Sequence, residues 1–280
     1  MTLKIAYLGP TGTNTETAGL AYVNWLQERE GQSAVLCPYS SISQTLKAVV
    51  NQEADLAVVP VENSTQGSVT ITLDSIWELS QLHIIQALIL PIDHALISYH
   101  GCLTEIKQVF SHPQALAQCQ RWLETYLPQA QLVASNSTSE ALQHLTKDDN
   151  MAAIASPRAA QLYQLPIIEH NINDYPENRT RFWVLSLEPS HNGSHISLAF
   201  SLPANVPGAL MNPLEIFARR GINLSRIESR PTKRSLGEYL FFIDLEVHDN
   251  QASVTSALQE LENHTEVLKI FGNYNVLLIE

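Results

Sequence analysis

Four short segments of this 280-residue chain carry groups whose types and spacing can do chemistry. Gly9-Pro10-Thr11-Gly12-Thr13 follows a strand-like run and precedes a helical pattern, so free backbone N–H groups and the helix dipole favour an anion there. It lacks a Gly-Lys-Ser/Thr ending, which argues against a nucleoside triphosphate loop, and a plain strand-to-helix turn is its other reading. Glu62-Asn63-Ser64-Thr65-Gln66-Gly67 sets several hydrogen-bonding side chains at another strand end, either as ligands or as a cap for the helix that follows. Ser111-His112-Pro113-Gln114-Ala115-Leu116 repeats the plan of strand end, polar pair and Pro at a helix start, with His112 a proton-transfer group or a cap. Asn178-Arg179-Thr180-Arg181-Phe182 puts a hydroxyl beside a guanidinium suited to bidentate carboxylate binding, unless the run is a solvated loop.

Other chemistries find little support. His191 and His195 are four apart, but Asn192-Gly193-Ser194 between them belongs to a turn-forming stretch, so the helix needed to align two metal ligands is missing. No Gly-x-Ser-x-Gly elbow is present, and none of Cys37, Cys102 and Cys119 adjoins a His. Three widely spaced cysteines without a Cys-x-x-Cys pair suggest neither a disulfide framework nor a zinc knuckle and fit a reduced, cytoplasmic compartment.

The elements that must position these segments follow from hydrophobic periodicity. Candidate strands at 4–8, 34–37, 56–61, 109–111, 132–134 and 152–155 alternate with helical patterns at 15–26, 43–51, 113–126, 138–146 and 157–163. This α/β alternation predicts mostly parallel sheets with functional loops at the carboxyl ends of strands. A long apolar segment, 82–99, divides it into two similar halves, and 181–187 carries the chain back, giving two lobes and a central cleft. Residues 188–194 read as a linker, and beyond them a strand (196–202), helix (208–220), two strands (222–229, 239–247), helix (252–263) and extended stretch (267–279) give the ferredoxin-like β-α-β-β-α-β order. The predicted units are therefore 1–187, 188–194 and 195–280.

Composition narrows the function classes. A formal charge of -12 argues against nucleic acid or an anionic membrane as partner. With 45% hydrophobic and 16% charged residues the chain reads as ordered and globular, and its most apolar run, broken by His83 and Gln86, falls short of the roughly 20 residues a membrane span needs. The N-terminus shows no export signal.

Taken in order, the four segments resemble the signature of the prephenate dehydratase family. Pro207-Gly208-Ala209-Leu210, Gly221-Ile222-Asn223-Leu224 and Ile227-Glu228-Ser229-Arg230-Pro231 resemble the ACT domain that commonly follows that unit. The resemblance spans nearly the whole chain and implies a bilobed, periplasmic-binding-protein-like catalytic domain plus an ACT regulatory domain. It implies conversion of prephenate to phenylpyruvate with loss of carbon dioxide and water, without metal or cofactor. It implies Thr180, Arg181 and Phe182 as catalytic residues: Arg181 anchoring a carboxylate, Thr180 donating to the departing hydroxyl, Phe182 excluding water. Gly12, Thr13, Glu62, Asn63, Ser64, Ser111, His112 and Gln114 would bind substrate, Glu62 being a second acid candidate. Phenylalanine would be the effector, held by Gly208, Ala209, Leu210, Asn223, Leu224, Glu228 and Ser229 in a homodimer or homotetramer.

Two departures stand out: Asn14-Thr15 where the family often has Phe-Ser, and Gln164 where a Gly is common. With no chorismate mutase helix ahead of Met1, a monofunctional enzyme is expected. The rival readings are arogenate dehydratase, which shares these motifs, and a non-catalytic small-molecule sensor.

Overall fold

The computed structural model describes residues 2–147, 150–190, 192–247 and 251–279. The first lobe contains β1 (Leu3–Leu8), α1 (Asn14–Glu30), β2 (Ala34–Tyr39), α2 (Ile42–Val50), β3 (Leu56–Asn63), β4 (Gly67–Ser68), α3 (Thr70–Glu78) and β5 (His83–Pro91). The second contains β6 (Ala95–Ile97), β7 (Gln108–Ser111), α4 (Pro113–Gln118), α5 (Gln120–Tyr126), β8 (Gln131–Ala134), α6 (Thr138–Ala141), β9 (Met151–Ala155), α7 (Pro157–Leu162) and β10 (Ile167–Glu169). The chain then returns to the first lobe as β11 (Arg179–Ser186).

The two lobes expected on either side of the long apolar segment are present, but 82–99 is not one strand. It breaks at Ile92-Asp93-His94, where the chain crosses between lobes. The outgoing and returning crossings are bonded to each other: Ile92 N–H donates to Asn178 O (2.9 Å), and Asn173 Nδ2 donates to Ile92 O (2.6 Å). The sheets are mixed rather than mostly parallel. In the first lobe β1 runs parallel to β2 and β3, yet β11 is antiparallel to both β3 and β5 because it arrives from the far lobe. The helix expected over 113–126 is divided at Cys119, whose φ of -120° leaves the helical region.

The C-terminal part holds β12 (His195–Ser201), α8 (Met211–Ala218), β13 (Asn223–Pro231), β14 (Tyr239–Glu246), α9 (Gln251–Glu262) and β15 (Val267–Leu278), in the expected β-α-β-β-α-β order. It is not a separate bead on a linker. β15 pairs with β12 through its first part, then runs parallel to β5, Asn275 opposite Gln86 through Leu278 opposite Ile89. One ten-stranded sheet, ordered β13-β14-β12-β15-β5-β11-β3-β1-β2 with β4 on β3, thus crosses both units. Of the two histidines four apart, His195 opens β12 and its Nδ1 lies 2.9 Å from Ser194 Oγ, while His191 is outside the described residues.

Strand phase decides which side chains meet. In β3, Ala57, Val59 and Val61 enter the core shared with Leu240, Phe242, Phe271 and Tyr274 of the C-terminal unit, while Leu56 and Val58 enter the core under α1. In β11, Trp183 and Leu185 join the first core and Phe182 and Val184 the second, the period of two that a strand covered on both faces requires.

A Cβ at Gly272 would overlap the backbone of Ile84, because β15 crosses β5 there without room for a side chain. Gly272→Ala is expected to destabilise the fold by about 1–3 kcal/mol through forced separation of backbones. Urea denaturation of the two proteins measures it; an unchanged midpoint would remove the close approach as a constraint.

Candidate active site

Between the lobes lies a cleft of about 940 Å³. Helix starts converge on it: Thr13, Asn14 and Thr15 of α1, Val69, Thr70 and Ile71 of α3, His112, Gln114 and Ala115 of α4, and Asn136, Ser137 and Thr138 of α6 all line its walls. At α1 the Thr13 hydroxyl takes the Glu16 N–H (3.3 Å). At α3 the residue before the first turn is Val69, which supplies no side-chain cap. Thr70 and Ile71, which open the nine-residue α3 on the cleft wall, therefore have no side-chain cap for their N–H groups, while Thr72 N–H bonds Val69 O (3.0 Å); such a helix start favours anions through hydrogen bonding and the helix dipole. Among the described residues of the cleft wall there is no Lys or Arg. Its carboxylate, Glu140, is turned back onto Asn136, accepting from the backbone N–H (3.0 Å) and from Nδ2 (3.2 Å).

The Thr180-Arg181-Phe182 segment is strand, not loop, and its residues alternate. Thr180 and Phe182 line the cleft, and Arg181 leaves on the opposite face. There its Nη1 lies 3.1 Å from Asp244 Oδ2 and 3.7 Å from Glu62 Oε2. Arg181 and Glu62, expected to touch substrate, are placed behind the site because a strand cannot put adjacent side chains on one face.

A β-bulge brings Asn63 to the front. Phe182 pairs with Pro60 but Arg181 pairs with Glu62, so Val61 is the extra residue. This reverses the phase of β3: Glu62 falls behind with Arg181, and Asn63 faces the cleft beside Thr180. Asn63 Nδ2 donates to Thr180 Oγ1 (2.9 Å) and Asn178 Oδ1 (2.8 Å), while its Oδ1 accepts from Thr65 N–H (3.1 Å) and Oγ1 (2.7 Å).

The network continues across the lobes. Asn178 Nδ2 donates to Gln118 Oε1 (3.2 Å) and Gln118 Nε2 donates to Thr65 Oγ1 (3.0 Å). His94 Nε2 lies 2.8 Å from the same Gln118 Oε1. Since that oxygen can only accept, His94 Nε2 carries the hydrogen. Desolvation holds His94 below its ordinary 6.5, and His112 likewise, keeping both rings toward the neutral form. Thr180 Oγ1 accepts from Asn63, and its own hydrogen has no acceptor among the described residues.

The burial of His94 has a sign. A histidine whose pKa is depressed by folding adds stability that is complete above its ordinary value and is lost as pH falls through the lower folded value. His94→Gln is therefore expected to flatten the decline of the thermal midpoint below about pH 6.5, read from melting curves at pH 5 to 8. An identical decline in the variant would show that His94 does not contribute to it.

Of the sequence-predicted substrate ligands, Thr13, Asn63, His112 and Gln114 share the cleft wall with Thr180 and Phe182. His112 also caps α4, accepting the Gln114 N–H at 3.2 Å, so both readings of it stand. Others are placed elsewhere. Gly12, at φ 88°, spends its N–H on the Glu16 carboxylate (2.9 Å) and packs against Ser139 of the second lobe. Glu16 also pairs with Arg158 (3.3 Å), tying the lobes together. Ser111 is fully buried and donates to Ile154 O (2.6 Å). Ser64 accepts the Arg179 N–H (3.0 Å) and donates to Asn178 (3.3 Å), supporting the network from outside the cleft. His94, Gln118 and the start of α3 were not anticipated, although Gln118, one turn after Gln114, was legible as sharing its helix face.

In the C-terminal unit β13 is bulged at Ser225: Leu224 pairs with Leu245 but Arg226 pairs with Asp244. Beyond the bulge Ile227 and Ser229 are exposed, while Arg226, Glu228 and Arg230 face the first lobe. Arg230 grips Asp74 of α3 through Nε and Nη2 (3.0 Å each), and Glu228 accepts from Ser68 Oγ. Glu228 is thus committed to the lobe interface rather than to an outward ligand. Asn223 Nδ2 donates to Glu246 (3.0 Å), Leu224 is half-buried in its own core, and Gly208, Ala209 and Leu210 lead into α8 with Gly208 at φ 81°. A separate cavity of about 320 Å³, walled by Pro203, Arg234, Tyr239 and Glu266 among others, includes none of these residues.

Residues 5–190 match the family model described as prephenate dehydratase, and 196–263 match the ACT domain. The chain is 36% identical to a prephenate dehydratase of Lactococcus lactis subsp. cremoris over 98% of both chains. It is 39% identical to a bifunctional chorismate mutase/prephenate dehydratase of Aquifex aeolicus, over 99% of this chain and 75% of that one. A solved prephenate dehydratase of Arthrobacter aurescens, in complex with L-Phe, superposes with a TM-score of 0.85 at 36% identity, covering 98% of this chain and 90% of that one.

Proposed function

The chain belongs to the prephenate dehydratase family, with an ACT domain in its C-terminal part, and from that premise we propose that it converts prephenate to phenylpyruvate with loss of carbon dioxide and water, under feedback control by phenylalanine. The observation that carries this reading is the Thr180 hydroxyl: it accepts from Asn63 and keeps its hydrogen for the cleft. Accepting one hydrogen bond strengthens a hydroxyl as a donor, so Thr180 is set to donate a hydrogen bond to the departing C4 hydroxyl of the substrate while keeping its proton. The bond from the ring to its carboxylate breaks to release carbon dioxide, its electron pair enters the ring as the C4–O bond breaks, the ring becomes aromatic, and the departing hydroxide takes a proton from solvent to leave as water.

A cleft wall with no Lys or Arg among its described residues suits that chemistry. Helix N–H groups at α1 and α3 hold a dianion without a point charge that would oppose loss of the ring carboxylate. Phe182 closes the floor against water, and Gln114 and His112 offer further polar contacts. We assign catalysis to 1–187 and effector binding to 195–280, with phenylalanine held near Gly208, Ala209, Leu210, Asn223, Leu224 and Ser229, in a cytoplasmic homodimer or homotetramer.

Turnover on prephenate and on arogenate, followed as phenylpyruvate and phenylalanine respectively, tests the reading. Prephenate is expected to be the better substrate by kcat/KM and phenylalanine to slow it. Faster arogenate turnover would make the chain an arogenate dehydratase, and ligand binding with no product would make it a sensor.

A further inference from the structure

The side of β11 that faces away from the cleft carries a charge cluster that the reaction does not use directly. Arg181 reaches Asp244 of β14 at 3.1 Å. Asp244 is 1% exposed, and its other oxygen accepts from Ser197 Oγ at 2.5 Å. Ser197 in turn lies 2.6 Å from Tyr274 Oη. Arg226 Nη1 stands 3.5 Å from Asp244 Oδ2 and its Nε 4.0 Å from Glu62, while its Nη2 stands 4.0 Å from Glu228. Two guanidinium groups and three carboxylates therefore share a site between the catalytic lobe and the C-terminal unit. Asp244 is the member most fully withdrawn from water and most fully bonded.

We propose that Asp244, although it belongs to the C-terminal unit, is a positioning residue for the reaction, fixing Thr180 through Arg181. This rests on the reading of Thr180 given above. Arg181 sits at the bulge that sets the phase of β3 against β11, with Glu62 opposite it and the Thr180–Asn63 pair one residue away on the same two strands. Holding the Arg181 side chain from behind fixes the rotation of β11 at that point, and with it the direction of the Thr180 hydroxyl. An ångström of displacement at a reacting group is enough to cost about a hundredfold in rate. A buried ion pair is suited to this task, because its strength comes from geometry and its failure leaves an uncompensated charge.

The test compares wild type, Asp244→Asn, Arg181→Met and the double variant for prephenate turnover, with thermal midpoints recorded in parallel. Asp244→Asn is expected to lower kcat by about tenfold with KM within about twofold, and to add nothing in the Arg181→Met background. A kcat within about twofold of wild type, or losses that multiply in the double variant, would overturn the proposal. If Asp244→Asn does not fold, Ser197→Ala, which removes one bond to Asp244, takes its place. A lowered kcat at unchanged KM supports the proposal, and full turnover overturns it. An inactive wild type would instead refute the assigned reaction, so the two failures are distinct.

Discussion

Thr180→Ala is expected to lower kcat on prephenate by about 10²- to 10³-fold while KM changes little, because the hydroxyl acts on the leaving oxygen as the bond breaks and not on the bound ground state. The side chain is small and lines the cleft, so the loss should come without a comparable fall in stability. Thr180→Ser, which keeps the oxygen bonded to Asn63, should recover most of the activity, held back by the greater rotational freedom of a side chain without the methyl group. Phenylpyruvate formation under saturating substrate decides it. Near-normal turnover of the alanine variant would remove Thr180 from the chemistry and leave the cleft's other donors, Gln114 foremost, to be tested in its place.

Asn63→Asp probes the group behind the hydroxyl and should be nearly as costly. The substitution keeps shape but replaces two N–H donors with an acceptor. The new oxygen would face Asn178 Oδ1 and Thr180 Oγ1, at distances now occupied by hydrogen bonds of 2.8 and 2.9 Å. Thr180 would then turn its hydrogen toward the new carboxylate instead of the substrate, and a negative charge would stand in a cleft built for an anion. About a hundredfold loss in kcat/KM is expected, together with lower stability from the opposed oxygens. Asn63→Ala should lose less in affinity, since it removes the donors without adding charge. If Asp and Ala behave alike, the electrostatic part of this account fails.

Much of the architecture was legible because hydrophobic periodicity is local. The alternation of strands and helices, the division at the long apolar segment and the β-α-β-β-α-β order all survive in the structure with shifted ends. The misplacements have one physical source. Starting the return strand at 181 left the Thr180 hydroxyl and the Arg181 guanidinium side by side at its entrance, whereas the strand begins at Arg179 and sends them to opposite faces. The bulge at Val61 left no mark in composition, yet it decides that Asn63 and not Glu62 meets the cleft. Likewise Arg226, Glu228 and Arg230 carry a visible period of two, but only the docked lobe, with Ser68 and Asp74, says what their shared face meets. His94 could be seen as a polar residue ending an apolar run; its partner Gln118 lies 24 residues away, on a helix of the second lobe.

The seam between β15 and β5 also bears on how the chain is made. On a ribosome the first lobe emerges early, but one long edge of its sheet, the apolar β5, waits for Asn275 to Leu278 before it is covered. Until those residues appear, a nascent chain presents Ile84, Ala87 and Leu88 beside unpaired backbone groups, the kind of edge that recruits neighbouring strands. The C-terminal unit thus acts as the closing piece of the first lobe's sheet. Shortening the chain by its last strand would leave the protein open to aggregation along β5.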